Sequence, residues 1–124
     1  SFFQAVNDDI RRYKSKSNDI EPSFVRRGIY HEQIEKYLQY FKMSDFLFLE
    51  QGELVRPDLV MTKVSQFLNI EIDIASIKAF VISNKGEYEL YDDNMEETML
   101  MLKSFYQPYN EKLYAQIGIN YNWN

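Results

Sequence analysis

One short apolar run, Phe46-Leu47-Phe48-Leu49, limits what this chain can fold into more than any other feature. It shows no alternation of apolar and polar residues, so both of its faces call for cover. That is the pattern of a strand inside a parallel sheet. No second strand of this quality is visible, and a lone strand is not a stable object. Sheet partners are therefore implied elsewhere, and the fold class reads as α/β, with this chain its mostly helical part. At 124 residues the chain is one domain, or part of one.

The helices announce themselves by spacing. Phe3, Val6, Ile10 and Tyr13 mark an amphipathic helix over residues 1–13, opened by a Ser1-x-x-Gln4 capping box. Residues 14–23 are polar, contain Pro22, and read as a loop. Tyr30, Ile34, Tyr37, Leu38 and Phe41 form one stripe of a helix over 28–41. Pro57 opens a helix that carries Val60, Val64, Phe67 and Leu68, and Asn69 suits its left-handed end. Residues 70–91 give no clear pattern beyond a turn at Ser83-Asn84-Lys85-Gly86. A helix from Asn94, with Glu97 completing a capping box, has Met95, Met99, Leu102 and Tyr106 as its inner face. Pro108 is expected to break or kink it, and a last short helix runs through Tyr109, Leu113, Tyr114 and Ile117 to Gly118.

Composition removes most enzyme classes. There is no cysteine, which excludes disulfides, thiolate nucleophiles and Cys-zinc sites; a reducing compartment such as the cytoplasm is compatible with this but not required. The single histidine, His31, excludes an HExxH site, and the four glycines leave no glycine-rich phosphate loop. The net charge is −5, and basic residues cluster only in pairs such as Arg11-Arg12 and Arg26-Arg27, so no nucleic-acid stripe is expected. No apolar run approaches the roughly 20 residues of a membrane span, and no signal peptide is recognisable. Asp92, Asp93, Glu96 and Glu97 suit the start of a helix, where carboxylates complement the dipole. Glu50 and Glu53 match a glycosidase only in number, since nothing pairs them across a cleft.

Several segments, taken in order, resemble a known family. They are Arg27-Gly28-Ile29-Tyr30-His31-Glu32-Gln33 through Tyr37-Leu38-Gln39-Tyr40-Phe41; Phe46 to Leu49 with Gly52-Glu53-Leu54, Pro57 and Phe67-Leu68-Asn69-Ile70; and Phe105-Tyr106-Gln107-Pro108-Tyr109-Asn110-Glu111-Lys112-Leu113-Tyr114 with Gly118 and Trp123. Together they resemble the C-terminal half of the PAPS-dependent sulfotransferases, the family of the heparan-sulfate enzymes and their bacterial relatives. Ser1-Phe2 through Ala5 resembles the helix that follows the family's nucleotide-binding half. The resemblance spans nearly all of the chain.

It implies a P-loop-like α/β fold with a parallel sheet, and transfer of a sulfuryl group from PAPS (3′-phosphoadenylyl sulfate) to a hydroxyl or amine acceptor. The N-terminal half, with its phosphosulfate loop, its usual catalytic carboxylate and its own 3′-phosphate ligands, has no counterpart here. No catalytic residue and no metal is implied within residues 1–124. The cofactor-side candidates are Tyr30, Lys85, Gly86 and Tyr88. Lys85-Gly86 matches a Lys-Gly-Arg loop whose backbone and Lys reach the PAPS phosphate; glycine permits close backbone approach and lysine supplies charge. Glu87 stands where the family has Arg, which places a repulsive carboxylate beside the phosphate. His31 reads as solvated, because the family's His falls at the position of Gln33. Arg26 and Arg27 read either as a solvated pair or as an attractor of anions.

Two functions remain open on the sequence. One is the acceptor-side portion of a sulfotransferase, which needs the N-terminal half, PAPS and an acceptor. The other is a non-catalytic helical interaction module that keeps the scaffold without the chemistry. The acceptor is not legible, because this fold serves many acceptor classes through loop variation.

Overall fold

Ser1 opens the first helix as the sequence predicts. In a computed structural model that describes residues 1–15, 23–77 and 94–123, its hydroxyl accepts the Gln4 amide at 3.3 Å, and Gln4 accepts from the Ser1 amine. Helix α1 runs Phe2–Lys14, followed by α2 (Phe24–Arg27), α3 (Tyr30–Tyr37), α4 (Pro57–Leu68) and α5 (Met95–Ile117). The chain divides into two units, one formed by Ser1–Phe41 with Tyr88–Asn124, the other by Lys42–Glu87. Among the described residues no helix is long and apolar enough to cross a membrane.

The first unit packs α1, α2, α3 and α5 together. Val6, Ile10, Val25, Ile29 and Phe105 form its core, flanked by Tyr13, Leu102, Tyr106 and Tyr109. Rings line one side of this otherwise aliphatic core, where edge-to-face contacts add to the burial of aromatic area. Tyr13 meets Phe105 and Tyr109 edge-on, at 5.8 and 5.9 Å between centroids.

Several sequence expectations fail in this unit. The helix expected over 28–41 is shorter: it is α3, Tyr30–Tyr37, set off at Gly28 and Ile29 from the separate turn α2 that precedes it. Its buried face is Ile29, His31 and Ile34, while Tyr30, Tyr37 and Phe41 are exposed. His31 is therefore not solvated. It is 6% exposed and stacks on Tyr109 at 5.6 Å. Pro108 does not divide the last helix, which continues to Ile117. Phe105 and Tyr109 on either side of Pro108 are both held against Tyr13, and this packing outweighs one lost backbone bond. The inner face of α5 is Thr98, Phe105, Asn110 and Leu113, with Met99 outside. Thr98 is tolerated there because its hydroxyl donates to the Asn94 carbonyl at 2.7 Å. The Asn94 side chain makes no cap bond to α5, so the expected Asn94–Glu97 capping box is absent.

The second unit follows the sequence more closely. Pro57 is the first residue of α4, and Asn69 ends it in the left-handed conformation, with φ of 51°. The Ile70 amide reaches back to the Ser65 carbonyl at 3.1 Å and the Asn69 amide to Gln66, a Schellman ending. Single-turn 3₁₀ helices cover Met43–Asp45, Gln51–Val55 and Ile74–Ser76. Lys63 on α4 pairs with Glu53 of the second of these. That ion pair, ahead of the opposing cost of desolvation, holds the Glu53 carboxyl below its usual range.

The run at 46–49 is not helical, and Phe46 at its start is extended, with φ −115° and ψ 135°. The Phe46 and Phe48 rings lie nearly parallel, 5.9 Å apart. Residues 46–50 are half-buried rather than buried, and no β-ladder is formed among the described residues. Val60 is the buried member of the α4 stripe, whereas Phe67 and Leu68 are 39% and 53% exposed.

Candidate functional site

The turn between Val25 and Tyr30 joins α2 to α3 and is fastened from three sides. Helix starts leave amide donors without intrahelical partners. Here the Val25 amide donates to the buried Asp9 carboxylate of α1 at 2.9 Å, and the Arg26 amide donates to the Ser23 hydroxyl at 3.1 Å. From α5, the Tyr106 hydroxyl donates to the Val25 carbonyl at 2.9 Å. Both backbone polar groups of Val25 are thus bonded to side chains of other helices.

Gly28 sits where the Tyr106 ring passes. A Cβ at this position would lie 2.8 Å from the Tyr106 ring and hydroxyl. Its backbone is ordinary right-handed helix, so the requirement is for space and not for an unusual φ. Gly28→Ala should therefore push Tyr106 off the Val25 carbonyl and cost about 1–3 kcal/mol, the usual range for overpacking. Chemical unfolding of the variant against wild type measures this, and an unchanged midpoint would show that Tyr106 yields freely.

This frame turns Val25 and Ile29 inward and leaves Arg26, Arg27 and Tyr30 exposed. The Arg27 carbonyl accepts from the Gln33 amide group at 3.0 Å, tying the turn to α3. Burial pushes the Tyr106 phenol up in pKa, with the Asp9 charge adding to the effect. Burial also raises the Tyr13 phenol, helped by its 2.5 Å hydrogen bond to Glu32. Both phenols remain protonated donors through the physiological range, so the clasp on Val25 does not titrate away near neutral pH.

Tyr30 touches a second cluster. Its ring lies 6.1 Å from Trp123 at an interplanar angle of 61°. Trp123 stacks on Tyr121 at 4.9 Å and 10°, and Tyr114 meets both rings at angles of 62° and 66°. The arrangement is built locally. Asn122 adopts φ of 54°, and its amide donates to the Asn120 side chain at 2.8 Å, an Asx turn that folds Trp123 back over Tyr121. The Trp123 amide then donates to the Tyr114 hydroxyl at 2.9 Å. Sequence reasoning missed this cluster. Its one signal was the Asn-Tyr-Asn-Trp ending, a turn former interleaved with rings.

Of the four cofactor-side candidates, Tyr30 is described, half-exposed and on the fastened turn. Lys85, Gly86 and Tyr88 lie outside the described residues. Glu53 is engaged by Lys63 and accepts from the Glu50 amide at 3.4 Å. Among the described residues no group of His, Asp or Glu is placed to hold a metal ion.

The curated relatives compared below carry one activity in their names. The chain is 25% identical over 122 residues to mouse heparan sulfate glucosamine 3-O-sulfotransferase 6, covering 82% of this chain and 36% of that protein. It is 23% identical over 117 residues to mouse 3-O-sulfotransferase 5, covering 80% and 34%. It is 22% identical over 126 residues to mouse 3-O-sulfotransferase 3B1, covering 86% and 32%. The similarity to sulfotransferases is thus distant, and the chain spans about a third of the length of these relatives. No family model and no solved structure matches the chain.

Proposed function

We propose that this chain is the acceptor-side portion of a PAPS-dependent sulfotransferase of P-loop-like α/β fold. The observation that carries the reading is a similarity to enzymes of one named activity, spread over 80–86% of the chain. The geometry supports it in two ways. Apolar residues that the helical spacing sets for burial, Phe67 and Leu68 among them, lie exposed, and the 46–50 segment is non-helical, with extended backbone at Phe46 and Glu50. Both features suit a body completed by further chain, with Phe46 to Leu49 as an inner strand of a parallel sheet.

In this reading the sulfuryl group passes in line from the PAPS phosphate oxygen to an acceptor hydroxyl or amine. The S–O bond to PAP breaks as the new S–O or S–N bond forms, and the acceptor proton goes to a base in the other half of the domain. Such transfers rest on positioning and on charge stabilisation. The residues of this chain bind and orient: Lys85, Gly86 and Tyr88 on the cofactor side, and Tyr30 in the cleft. None of them is assigned the proton.

The 124-residue chain alone should transfer no sulfate, since the resemblance assigns the phosphosulfate loop to the family's N-terminal half. The polypeptide encoded with the reading frame upstream of Ser1 should bind PAP saturably and turn over PAPS. Radiolabelled sulfate transfer with both proteins tests this. Turnover by the short chain, or no PAP binding by the longer one, overturns the proposal. Glu87, a carboxylate beside the expected phosphate position, favours a second reading, a non-catalytic helical interaction module on the same scaffold. In that case the longer polypeptide would be inert towards PAPS.

A further inference from the structure

We infer that Trp123 is a positioning residue for Tyr30: the segment after α5 forms a strap that holds the indole against the Tyr30 ring and keeps that ring in one orientation. The inference rests on the proposed function for the ligand that Tyr30 meets, PAP or PAPS, and goes beyond it by giving the end of the chain a task in binding.

Tyr30 needs such a holder. It is the first residue of α3, and Ile29, in the capping position, makes no side-chain cap bond. Burial of Ile29, only 1% exposed, fixes the backbone beside it, but the Tyr30 side chain is 48% exposed. An exposed side chain exchanges rotamers within nanoseconds unless something abuts it. A ligand that binds a loose ring must first fix it, and that entropy counts against affinity. Trp123 abuts this ring edge to face, with centroids 6.1 Å apart.

Trp123 is itself fixed by contacts that do not involve Tyr30. Helix α5 ends at Gly118, left-handed with φ of 71°, whose amide donates to the Tyr114 carbonyl at 2.9 Å. The chain then turns at Asn120 and Asn122, and the Trp123 amide donates to the Tyr114 hydroxyl at 2.9 Å. Tyr121 stacks on the indole, and Tyr114 meets it at an angle with centroids 6.0 Å apart. These contacts would already complete a cap on α5. The indole goes further and reaches a ring of another helix.

The same helix therefore grips the 25–30 turn twice. Tyr106 bonds the Val25 carbonyl at one end, and the strap meets Tyr30 at the other. The first contact sets the path of the backbone and the second the direction of the exposed ring. The anchoring also separates a positioning strap from a lid. Swinging Trp123 away would break its amide bond, its stack and its edge contact together.

Ring order measures the hold directly. With isotope-labelled tyrosine rings, and Tyr30 assigned from the spectrum of Tyr30→Phe, the Tyr30 ring of this chain should be ordered by NMR relaxation. Trp123→Ala should lower its order parameter, and Trp123→Phe should keep most of it. Tyr114→Phe, which removes only the hydroxyl that accepts the Trp123 amide, should lower it part of the way. Far-UV circular dichroism establishes that each variant is folded. In the N-terminally extended protein, Trp123→Ala should weaken PAP binding roughly two- to tenfold, the scale of one edge-to-face contact. Tyr30→Ala should weaken it at least as much, and the double variant should bind no worse than Tyr30→Ala alone. Such non-additivity marks a residue that acts through another, whereas independent structural losses would add.

Three results overturn the inference. A Tyr30 ring equally ordered with and without Trp123 would show that the strap holds nothing. PAP affinity unchanged or tighter in Trp123→Ala would make the strap a bystander or a cover. Losses that add in the double variant would make Trp123 a stabiliser of the fold alone. An extended protein that binds no PAP removes the transferase reading instead, and the ring measurement then decides by itself whether Trp123 holds Tyr30.

Discussion

Replacing Phe105 with alanine should remove about 3–5 kcal/mol of stability, the range for deleting a buried aromatic ring. Phe105 is buried on α5, and its ring contacts Tyr106 at 5.0 Å, Tyr109 at 5.3 Å and Tyr13 at 5.8 Å. The cavity would take one partner from each of these three rings at once, and none of them can swing in to fill it without leaving its own partner. Tyr106 would also loosen from Val25, so the clasp on the 25–30 turn should weaken with the core. Single domains hold about 5–15 kcal/mol in all, so the variant should be near its unfolding threshold. Urea unfolding should show a lower midpoint at unchanged slope, with Phe105→Leu between the variant and wild type. A loss below about 1 kcal/mol would mean that these rings are not the core of the unit.

The second large effect is on PAP binding. Lys85→Ala should weaken it roughly ten- to a hundredfold, since a charged hydrogen bond to phosphate contributes about 1.5–3 kcal/mol. Glu87→Arg should strengthen it, because repulsion becomes attraction. Both effects should shrink as salt rises if the loop is solvent-exposed. The residues lie outside the described part of the structure, and the expectation rests on their place ahead of α5. Calorimetric titration of PAP against the N-terminally extended protein and both variants is the measurement. Equal affinity in all three would make Lys85-Gly86 an ordinary turn.

Where sequence and structure agree, the signal was local. The Ser1–Gln4 box, Pro57 at the start of α4 and Asn69 at its end are each decided by a few residues and their backbone geometry. Where they disagree, the answer depends on neighbours that are distant in sequence. The Tyr30, Tyr37, Phe41 stripe is apolar at helical spacing, but α5 meets α3 on the adjacent face, where Tyr109 offers a ring for His31 to stack on. The continuity of α5 through Pro108 depends in the same way on Tyr13, a residue on another helix. Composition cannot reveal such pairings.

The candidate site was legible in part. Arg26, Arg27, Gly28 and Tyr30 stood out as a segment, and Gly28 has a spatial reason once Tyr106 is seen against it. The role of Asp9 was not legible, because a carboxylate on an amphipathic helix ordinarily faces water. Trp123 stood only as the last residue of a resemblance, and its contact with Tyr30 spans most of the chain.

The bond between Tyr106 and Val25 joins residues 81 positions apart, and the helical unit that it closes is assembled from two stretches flanking Lys42–Glu87. The entropy of closing such a loop rises only with the logarithm of its length, about 0.6 kcal/mol for each doubling. Lengthening or shortening the middle segment therefore costs the flanking helices little. Evolution can rework residues 42–87, and any specificity they carry, while α1, α3 and α5 keep their register. The toll falls on kinetics instead: the first unit cannot finish folding until α5 exists to meet α1, so on the ribosome it waits for nearly the whole chain.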